Sequence, residues 1–310
     1  MMSAGPLTVL YVLFLSFEVC VSIFINMFIT FVIVHDYYLK KSLTSLQKIL
    51  VALNASSIFF IIVSSFNVFS NLLLPEFSET LSYSMTMTVF FIYSMCSSTY
   101  LTAILCFYYF IKVVNVQRGF LVWIKKEIGS LVHWQIVVAK LFSLVNSLLS
   151  LLLFTSHHLP VTNGSFIPLN SATLEKSSVD DNILKFLLIM ISLPLLCTAI
   201  TILLTVGFLK FHSDKMEKAQ TSGEAGLTLY KRVIYKMLRF LVLYSVFYLV
   251  MFLYYFNVFA AYSPGYYINL MLMFLFTPTQ SALHILDNQY LRSPWREMVG
   301  RILRSTHRNV

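Results

Sequence analysis

The 310-residue sequence is 58% apolar, carries charge at only 11% of its positions and has a mean hydropathy of +0.78. Soluble domains are close to half apolar and a quarter charged, so these values exclude a soluble core and indicate that lipid solvates part of the chain. The net charge of +9 would suit nucleic acid. The basic residues are placed as in a membrane protein, however, so no nucleic-acid partner is expected.

Seven apolar stretches are long enough to cross a bilayer, which takes about 20 residues of α-helix. The first follows a region without Lys or Arg and is too long for the apolar part of a signal peptide, so we expect it to be retained. Only Pro194 and Pro278 fall inside these stretches, where they are expected to kink a helix. The predicted spans are Leu7–Val34, Leu46–Leu73, Tyr83–Val113, Trp134–Phe154, Ile183–Leu209, Val233–Ala260 and Tyr266–Leu286.

Lysines and arginines are concentrated on one side of the predicted bundle. All 22 except Lys140, Lys176 and Lys185 lie in the first, third and fifth connections, at their flanking helix ends, or in the tail. Because cytoplasmic loops carry the excess of basic residues, we predict a multi-pass plasma-membrane protein with its N-terminus extracellular and its C-terminus cytoplasmic. An Asn-Gly-Ser sequon at Asn163, in the longest predicted outer loop, agrees with this orientation and predicts glycosylation there.

The C-terminal tail is predicted to form a short amphipathic helix. Apolar residues from Trp295 to Leu303 follow helical spacing, and arginines fill the other face. Pro294 can occupy the first turn, and a basic amphipathic helix suits the inner leaflet. The sequence therefore predicts an all-α membrane protein with a seven-transmembrane-helix domain over residues 1–287 and a cytoplasmic tail over residues 288–310.

Several segments resemble one receptor family. The inner end of the third span reads LCFYYFIKVVN over residues 105–115, and it is similar to the FYFLKIAN segment of the bitter taste receptors (type 2 taste receptors). Trp123-Ile124-Lys125, Leu193-Pro194 and the segment from Leu286 to Arg292 match further family segments in the same order. The resemblance covers nearly the whole chain and implies a G-protein-coupled receptor.

The resemblance also implies which side chains contact a G protein. Tyr109 and Lys112 lie where other receptors carry an Asp-Arg-Tyr motif, although a plain membrane anchor also explains Lys112. Lys125 matches the second inner loop, and His212 and Lys215 match the inner end of the fifth helix. The implied partner is a heterotrimeric G protein of the gustducin-like or another inhibitory class.

The outer halves of three helices carry candidate ligand residues, spaced four apart so that they share a helix face. Aromatic and methionine side chains there suit small hydrophobic bitter compounds in an outer cleft, although such stripes also arise from ordinary packing. The candidates are Phe91, Met95 and Thr99 on the third helix, Tyr248 and Phe252 on the sixth, and Tyr267 and Met271 on the seventh.

Polar residues inside the spans predict a network between helices. Glu18 and Asn26 on the first helix resemble a pair in the family, and ionisable groups in a bilayer generally face the bundle interior. Their expected partners are Asn54 or the seventh helix, where Ser281 matches a family serine. Lys140 is expected to extend its amine back to the inner headgroups.

The sequence departs from the family at four positions. Ser57 stands in place of a helix-two Arg, and Gln280 in place of a helix-seven His. Phe91 and Met95 stand where relatives often use Trp and Asn for ligands. The ligand chemistry is therefore expected to differ from that of better-known relatives.

Two other functions are compatible with a multi-span chain. A vomeronasal type 1 receptor shares the architecture, but the segment around Lys112 favours the bitter taste receptors. A membrane carrier would show inverted repeats and several acids in mid-membrane, whereas Glu18 is the only acid deep in a predicted span. The sequence has no zinc-ligand spacing, phosphate-binding loop or nucleophile triad, so no enzyme, metal or cofactor is expected.

Overall fold

The helices of the computed structural model correspond to the predicted spans. The structure describes residues 6–78, 80–113, 120–158, 189, 192–208, 224–256, 258–260 and 263–308. Every regular element in these ranges is helical, which confirms the all-α prediction. The helices of the described chain are α1 (Pro6–Lys40), α2 (Ser45–Leu73), α3 (Pro75–Ser78), α4 (Leu81–Val113), α5 (Phe120–His158), α6 (Ser192–Phe208), α7 (Glu224–Tyr255), α8 (Pro264–Asp287) and α9 (Gln289–Arg308).

Within the described ranges, five helices are long and apolar enough to cross a bilayer, namely α1, α2, α4, α5 and α7. The described part of α6 is apolar but shorter. Helix α8 covers the seventh predicted span, and most of its polar residues, including Gln280 and Ser281, are buried. Polar groups in a bilayer face the bundle interior, so α1, α2 and α4 to α8 account for the seven predicted spans.

Helix α5 differs most from the prediction. It begins at Phe120 and therefore includes much of the predicted inner loop Val114–His133. Apolar length identifies only the part of a helix that lipid surrounds. The basic segment before Trp134 contains Leu, Lys and Glu, which favour helix, and it contains no proline that would end the helix.

A capped turn joins α1 to α2. Lys41, the residue after α1, adopts a left-handed conformation with a φ of 54°. The Thr44 side chain accepts a hydrogen bond from the Gln47 amide, and the Gln47 side chain accepts one from the Thr44 amide, which is a capping box. Gln47 also donates to Asp36 of α1 at 2.8 Å. These contacts fix the direction in which α2 leaves the turn.

The tail helix begins earlier than predicted. Helix α9 covers Gln289–Arg308, so Pro294 lies inside it instead of in its first turn. The amides of Leu291 and Arg292 donate to the Asn288 carbonyl, which starts the helix directly after α8. Trp295 packs on Phe28 of α1 with ring centroids 5.0 Å apart. The predicted C-terminal helix is confirmed, and its apolar face contacts α1.

The two sides of the bundle are packed differently. We call the side where α1 begins the N-terminal side, and the side where α8 ends the C-terminal side. Aromatic and methionine side chains of α1, α2, α4, α7 and α8 form one buried cluster towards the N-terminal side, which we call the aromatic cluster; it includes Tyr11, Met95, Phe247 and Phe274. Smaller apolar clusters join α1, α2, α8 and α9, and also α4, α6 and α7, towards the C-terminal side.

Candidate ligand cleft and coupling surface

Most of the predicted ligand residues lie in or against the aromatic cluster. Tyr267 contacts α1, because its ring lies 5.0 Å from the Tyr11 ring and its hydroxyl is hydrogen-bonded to Thr8 at 3.0 Å. Helices α1, α4, α7 and α8 therefore meet where the sequence pattern predicted a cleft. The predicted residues in this cluster are Met95 and Tyr267 in its buried core, with Phe91, Tyr248 and Met271 packed around it.

A small cleft lies between α4, α6 and α7. Its volume is about 10 Å³, room for about one water molecule. Ligand pockets generally measure about 300–1,000 Å³, so an organic ligand fits only when these three helices separate. Two of the predicted ligand residues, Thr99 and Tyr248, are in the lining. The full lining is Thr99, Thr102, Pro194, Leu195, Thr198, Tyr244, Phe247 and Tyr248.

The threonine hydroxyls at the cleft are engaged within their own helices. Thr99 donates to the Cys96 carbonyl at 2.9 Å, and Thr198 donates to the Pro194 carbonyl at 2.8 Å. These bonds leave aromatic and aliphatic groups, such as the Phe247 ring, as the main surface that faces the cleft. Such a surface suits an apolar ligand that is recognised by shape and buried area.

Phe252 is not among the residues that the structure brings to the cleft. It is 37% exposed, and its ring centroid lies 4.2 Å from that of Phe256. It belongs to the last turn of α7, which ends at Tyr255. Four-residue spacing places it on the same face as Tyr248, but that face is less covered where the helix ends. A ligand contact for Phe252 remains a prediction.

The middle of the bundle contains a hydrogen-bonded group that the sequence pattern did not predict. Gln280 of α8 donates to the Tyr244 hydroxyl of α7 at 2.8 Å, and Tyr244 is hydrogen-bonded to Thr102 of α4. All three side chains are buried, and we call them the Gln280 triad. Because buried polar groups are costly without partners, the triad fixes the relative positions of three helices. The one sequence feature that could have predicted this triad is Gln280, a polar residue inside the seventh predicted span.

A second polar contact joins α1 to α8. Ser281 donates to the Asn26 side-chain oxygen at 3.0 Å, and the Asn26 amide group donates to the Ser22 carbonyl at 2.9 Å. Glu18 is 3% exposed and Asn54 is 1% exposed, and neither side chain forms a hydrogen bond with the described part of the chain. Of the four predicted network residues, the structure therefore brings Asn26 and Ser281 together.

Lys140 does not extend to the headgroups, so that prediction was wrong. Its amine donates to the Ser56 hydroxyl of α2 and lies 5.8 Å from the centre of the Tyr93 ring of α4. Ser56 lies in turn 3.0 Å from the Ser97 hydroxyl. A hydroxyl and an aromatic face both stabilise an ammonium group, so the amine is held inside the bundle.

The predicted G-protein contacts lie on the C-terminal side where they are described. Lys112 is exposed in the last turn of α4, and its amine lies 6.0 Å from the centre of the Tyr108 ring. Tyr109 is half-buried and packs against two apolar clusters. The backbone of Lys125 belongs to α5. Outside the described residues lie His212, Lys215 and the sequon residue Asn163.

Asp287, the last residue of α8, binds two basic residues of α7. An Arg239 Nη1 atom lies 3.0 Å from Asp287 Oδ1, and the Lys236 amine donates to the Asp287 backbone carbonyl. The Asp287 side chain is 5% exposed, whereas that of Arg239 is 55% exposed. We call these three residues the Asp287 cluster. In the sequence, Lys236 and Arg239 are three positions apart, which places both on one face of a helix. That spacing could have indicated an acidic partner for this face.

Known proteins resemble this chain over most of its length. The taste receptor protein (TAS2R) family model matches residues 1–301. Taste receptor type 2 member 39 of Macaca mulatta is 25% identical over 295 residues, which are 92% of this chain and 85% of that protein. The member 39 protein of Homo sapiens is 25% identical over 292 residues with the same coverage. Taste receptor type 2 member 109 of Rattus norvegicus is 24% identical over 244 residues, 77% of this chain and 75% of that protein.

The family match includes all seven predicted spans and the first part of the tail helix. It favours the taste receptors over the vomeronasal and carrier alternatives, and the relatives are receptors and not enzymes. The chain belongs to the taste receptor protein (TAS2R) family.

Proposed function

We propose that this chain is a bitter taste receptor, which binds small hydrophobic tastants on the N-terminal side of the bundle and activates a heterotrimeric G protein. The observation that carries the proposal is the family match over residues 1–301. The apolar cleft between α4, α6 and α7 supports it, because it lies beside the aromatic cluster that holds most of the predicted ligand residues.

In the proposed orientation, the N-terminal side is extracellular and the C-terminal side faces the cytosol of a plasma membrane. The distribution of Lys and Arg between connections supports this orientation. Residues 1–287 then form the membrane domain, and residues 288–310 form a cytoplasmic tail. Glycosylation of Asn163 belongs to the same proposal, since the sequon would be outside the cell.

Ligand binding is proposed to widen the cleft. A ligand shifts an equilibrium between two states only through its different affinity for them. The cleft has room for about one water molecule here, so a tastant would bind only the wider state. Thr102 and Tyr244 belong to both the cleft lining and the Gln280 triad, so widening would also act on α8.

The coupling surface is proposed on the cytosolic ends of α4, α5 and α6. Its partner would be a G protein of the gustducin-like or another inhibitory class. An exposed cation beside a half-buried tyrosine, at Lys112 and Tyr109, offers both a charged and an apolar contact. The proposed contact residues are Tyr109, Lys112, Lys125, His212 and Lys215.

Calcium imaging tests this proposal. Cells that express the full chain with a promiscuous G-protein α subunit would be exposed to bitter compounds of graded hydrophobicity, and surface expression would be measured in the same cells. We expect responses to hydrophobic compounds, with cells lacking the receptor as the control. Chimeric α subunits that carry gustducin or inhibitory-class contact segments would then identify the coupled class. A well-expressed receptor that responds to none of the compounds would contradict the proposal.

A further inference from the structure

The Asp287 cluster and the ligand cleft share one helix. Helix α7 contributes Tyr244 and Tyr248 to the cleft, and it contributes Lys236 and Arg239 to the Asp287 cluster. Arg239 and Tyr244 are separated by about 7.5 Å along the helix axis, at about 1.5 Å per residue. A tilt of α7 at the cleft therefore reaches the Asp287 cluster without any intermediate element.

Asp287 is placed unfavourably within its own helix. The C-terminus of a helix carries partial negative charge, which repels a carboxylate and attracts cations. The Asp287 side chain is 5% exposed, and its Oδ2 atom has no hydrogen-bond partner in the described part of the chain. Arg239 compensates the side-chain charge and Lys236 binds the last carbonyl, so the stability of this helix end depends on α7.

The same part of α7 covers an apolar contact with α4. Met237, which is next to Lys236 in the chain, packs in one cluster with Cys106, Phe110 and Ile111. Both Cys106 and Met237 are fully buried. If α7 left α8 on this side, Met237 would move with it and the Cys106 thiol would become accessible.

We propose that the Asp287 cluster restrains signalling, because it holds the C-terminal side of α7 against α8 until a ligand opens the cleft. This inference rests on the proposed function, since it concerns the same receptor's regulation. An ion pair that is partly open to solvent contributes modestly to stability. A tenfold shift of the equilibrium corresponds to about 1.4 kcal/mol, so a ligand that binds the wider state more than about tenfold better can overcome such a contact.

The signalling test is Asp287→Asn in the full-length receptor, which removes the charge and keeps the side-chain shape. Basal calcium signalling, normalised to surface expression, should rise about three- to tenfold without agonist. The matched control is Glu297→Gln, which breaks the exposed Arg301–Glu297 pair of α9 and should leave basal signalling unchanged. Exchange of the charges, Arg239→Asp with Asp287→Arg, should return the basal signal close to that of the wild type.

A second measurement needs no G protein. Substitution of Ser for Cys20, Cys96 and Cys197 leaves Cys106 as the only thiol. Purified receptor in lipid nanodiscs would be labelled with a maleimide, and the labelling rate of Cys106 would be followed. Asp287→Asn should accelerate labelling several-fold, the charge exchange should reverse this, and Glu297→Gln should have no effect.

The two measurements separate the restraint from the proposed function. Faster Cys106 labelling in Asp287→Asn without any calcium response would support the restraint and count against the proposed coupling. Unchanged Cys106 labelling in Asp287→Asn would overturn the restraint, whether or not the receptor responds to bitter compounds. A raised basal signal that the charge exchange fails to reverse would also overturn it.

Discussion

The two sides of the bundle are stabilised by different kinds of contact. On the N-terminal side, rings and thioethers pack closely; Phe247 stacks on Phe276 with centroids 4.0 Å apart. On the C-terminal side, directed contacts join the helices, such as the Arg239–Asp287 ion pair and a 2.8 Å hydrogen bond from Tyr290 to the Val32 carbonyl. Apolar contacts tolerate many arrangements, whereas hydrogen bonds weaken steeply with distance and angle. In the proposed function, the N-terminal side would therefore accept varied ligands, and the C-terminal side would have two distinct arrangements.

The largest expected effect is on the C-terminal side. Lys112→Ala should abolish agonist-evoked calcium while surface staining stays near normal, because it removes an exposed cation that we assign to the G-protein contact. Lys126→Ala is the matched control, since it removes the same charge from an exposed position on α5. Similar losses in both variants would indicate that the general positive charge of this side matters, and not Lys112 itself.

On the N-terminal side, Phe91→Ala should weaken the binding of hydrophobic agonists by about 1–3 kcal/mol, which is the free-energy contribution of a large buried side chain. The control is Phe90→Ala, because Phe90 is the neighbouring ring but is 43% exposed. The measurement is a dose–response series with two homologous agonists of different apolar area. Equal potency losses in both variants would indicate that Phe91 contributes to packing between helices and not to ligand binding.

A second substitution on the N-terminal side introduces a polar group at Met95. Met95 is fully buried in the aromatic cluster, so Met95→Asn would place an amide among apolar side chains. The potency of apolar agonists should fall, and more polar compounds should gain relative to them, because an unpaired amide penalises ligands without a matching group. If the ratio of apolar to polar agonist potencies stayed the same as in the wild type, Met95 would have no role in ligand selection.

Tyr244→Phe acts between the two sides and should have a smaller effect. It removes the hydroxyl that links Thr102 and Gln280, which should lower the free energy of unfolding by about 1 kcal/mol. Thermal unfolding of the purified receptor measures this effect. Tyr235→Phe, on the same helix but 61% exposed, is the control and should leave the melting temperature unchanged. Equal melting temperatures in both variants would show that the Gln280 triad adds little stability.

The existence of the helices was predictable from the sequence, but their ends were not. A bilayer selects apolar length, and that length identified the seven spans. It has no bearing on where a helix continues beyond the lipid, as α1 does to Lys40 and α5 does back to Phe120. Pro294 was also misjudged, because the Asn288 carbonyl starts α9 one turn before the proline.

Contacts between distant residues were harder to predict. Spacing along one helix groups residues on a face, but it does not determine which neighbouring helix that face meets. Lys140 binds Ser56, and Gln280 binds Tyr244, only because α2, α4, α5, α7 and α8 pack in a particular arrangement. The meeting of Asn26 and Ser281 was anticipated because the resemblance supplied residues from two helices together.

The length of α5 determines how a cytosolic partner would meet the receptor in the proposed orientation. Its 39 residues extend about 58 Å, nearly twice the hydrocarbon thickness of about 30 Å. The residues from Phe120 to His133 therefore continue the helix instead of forming a loop. Each residue of a helix adds about 1.5 Å along its axis and about 100° around it. The helix therefore determines how far Trp123 and Lys126 lie from the membrane and in which direction their side chains leave the axis. A one-residue insertion there would redirect both side chains, whereas a pliable loop could absorb the change.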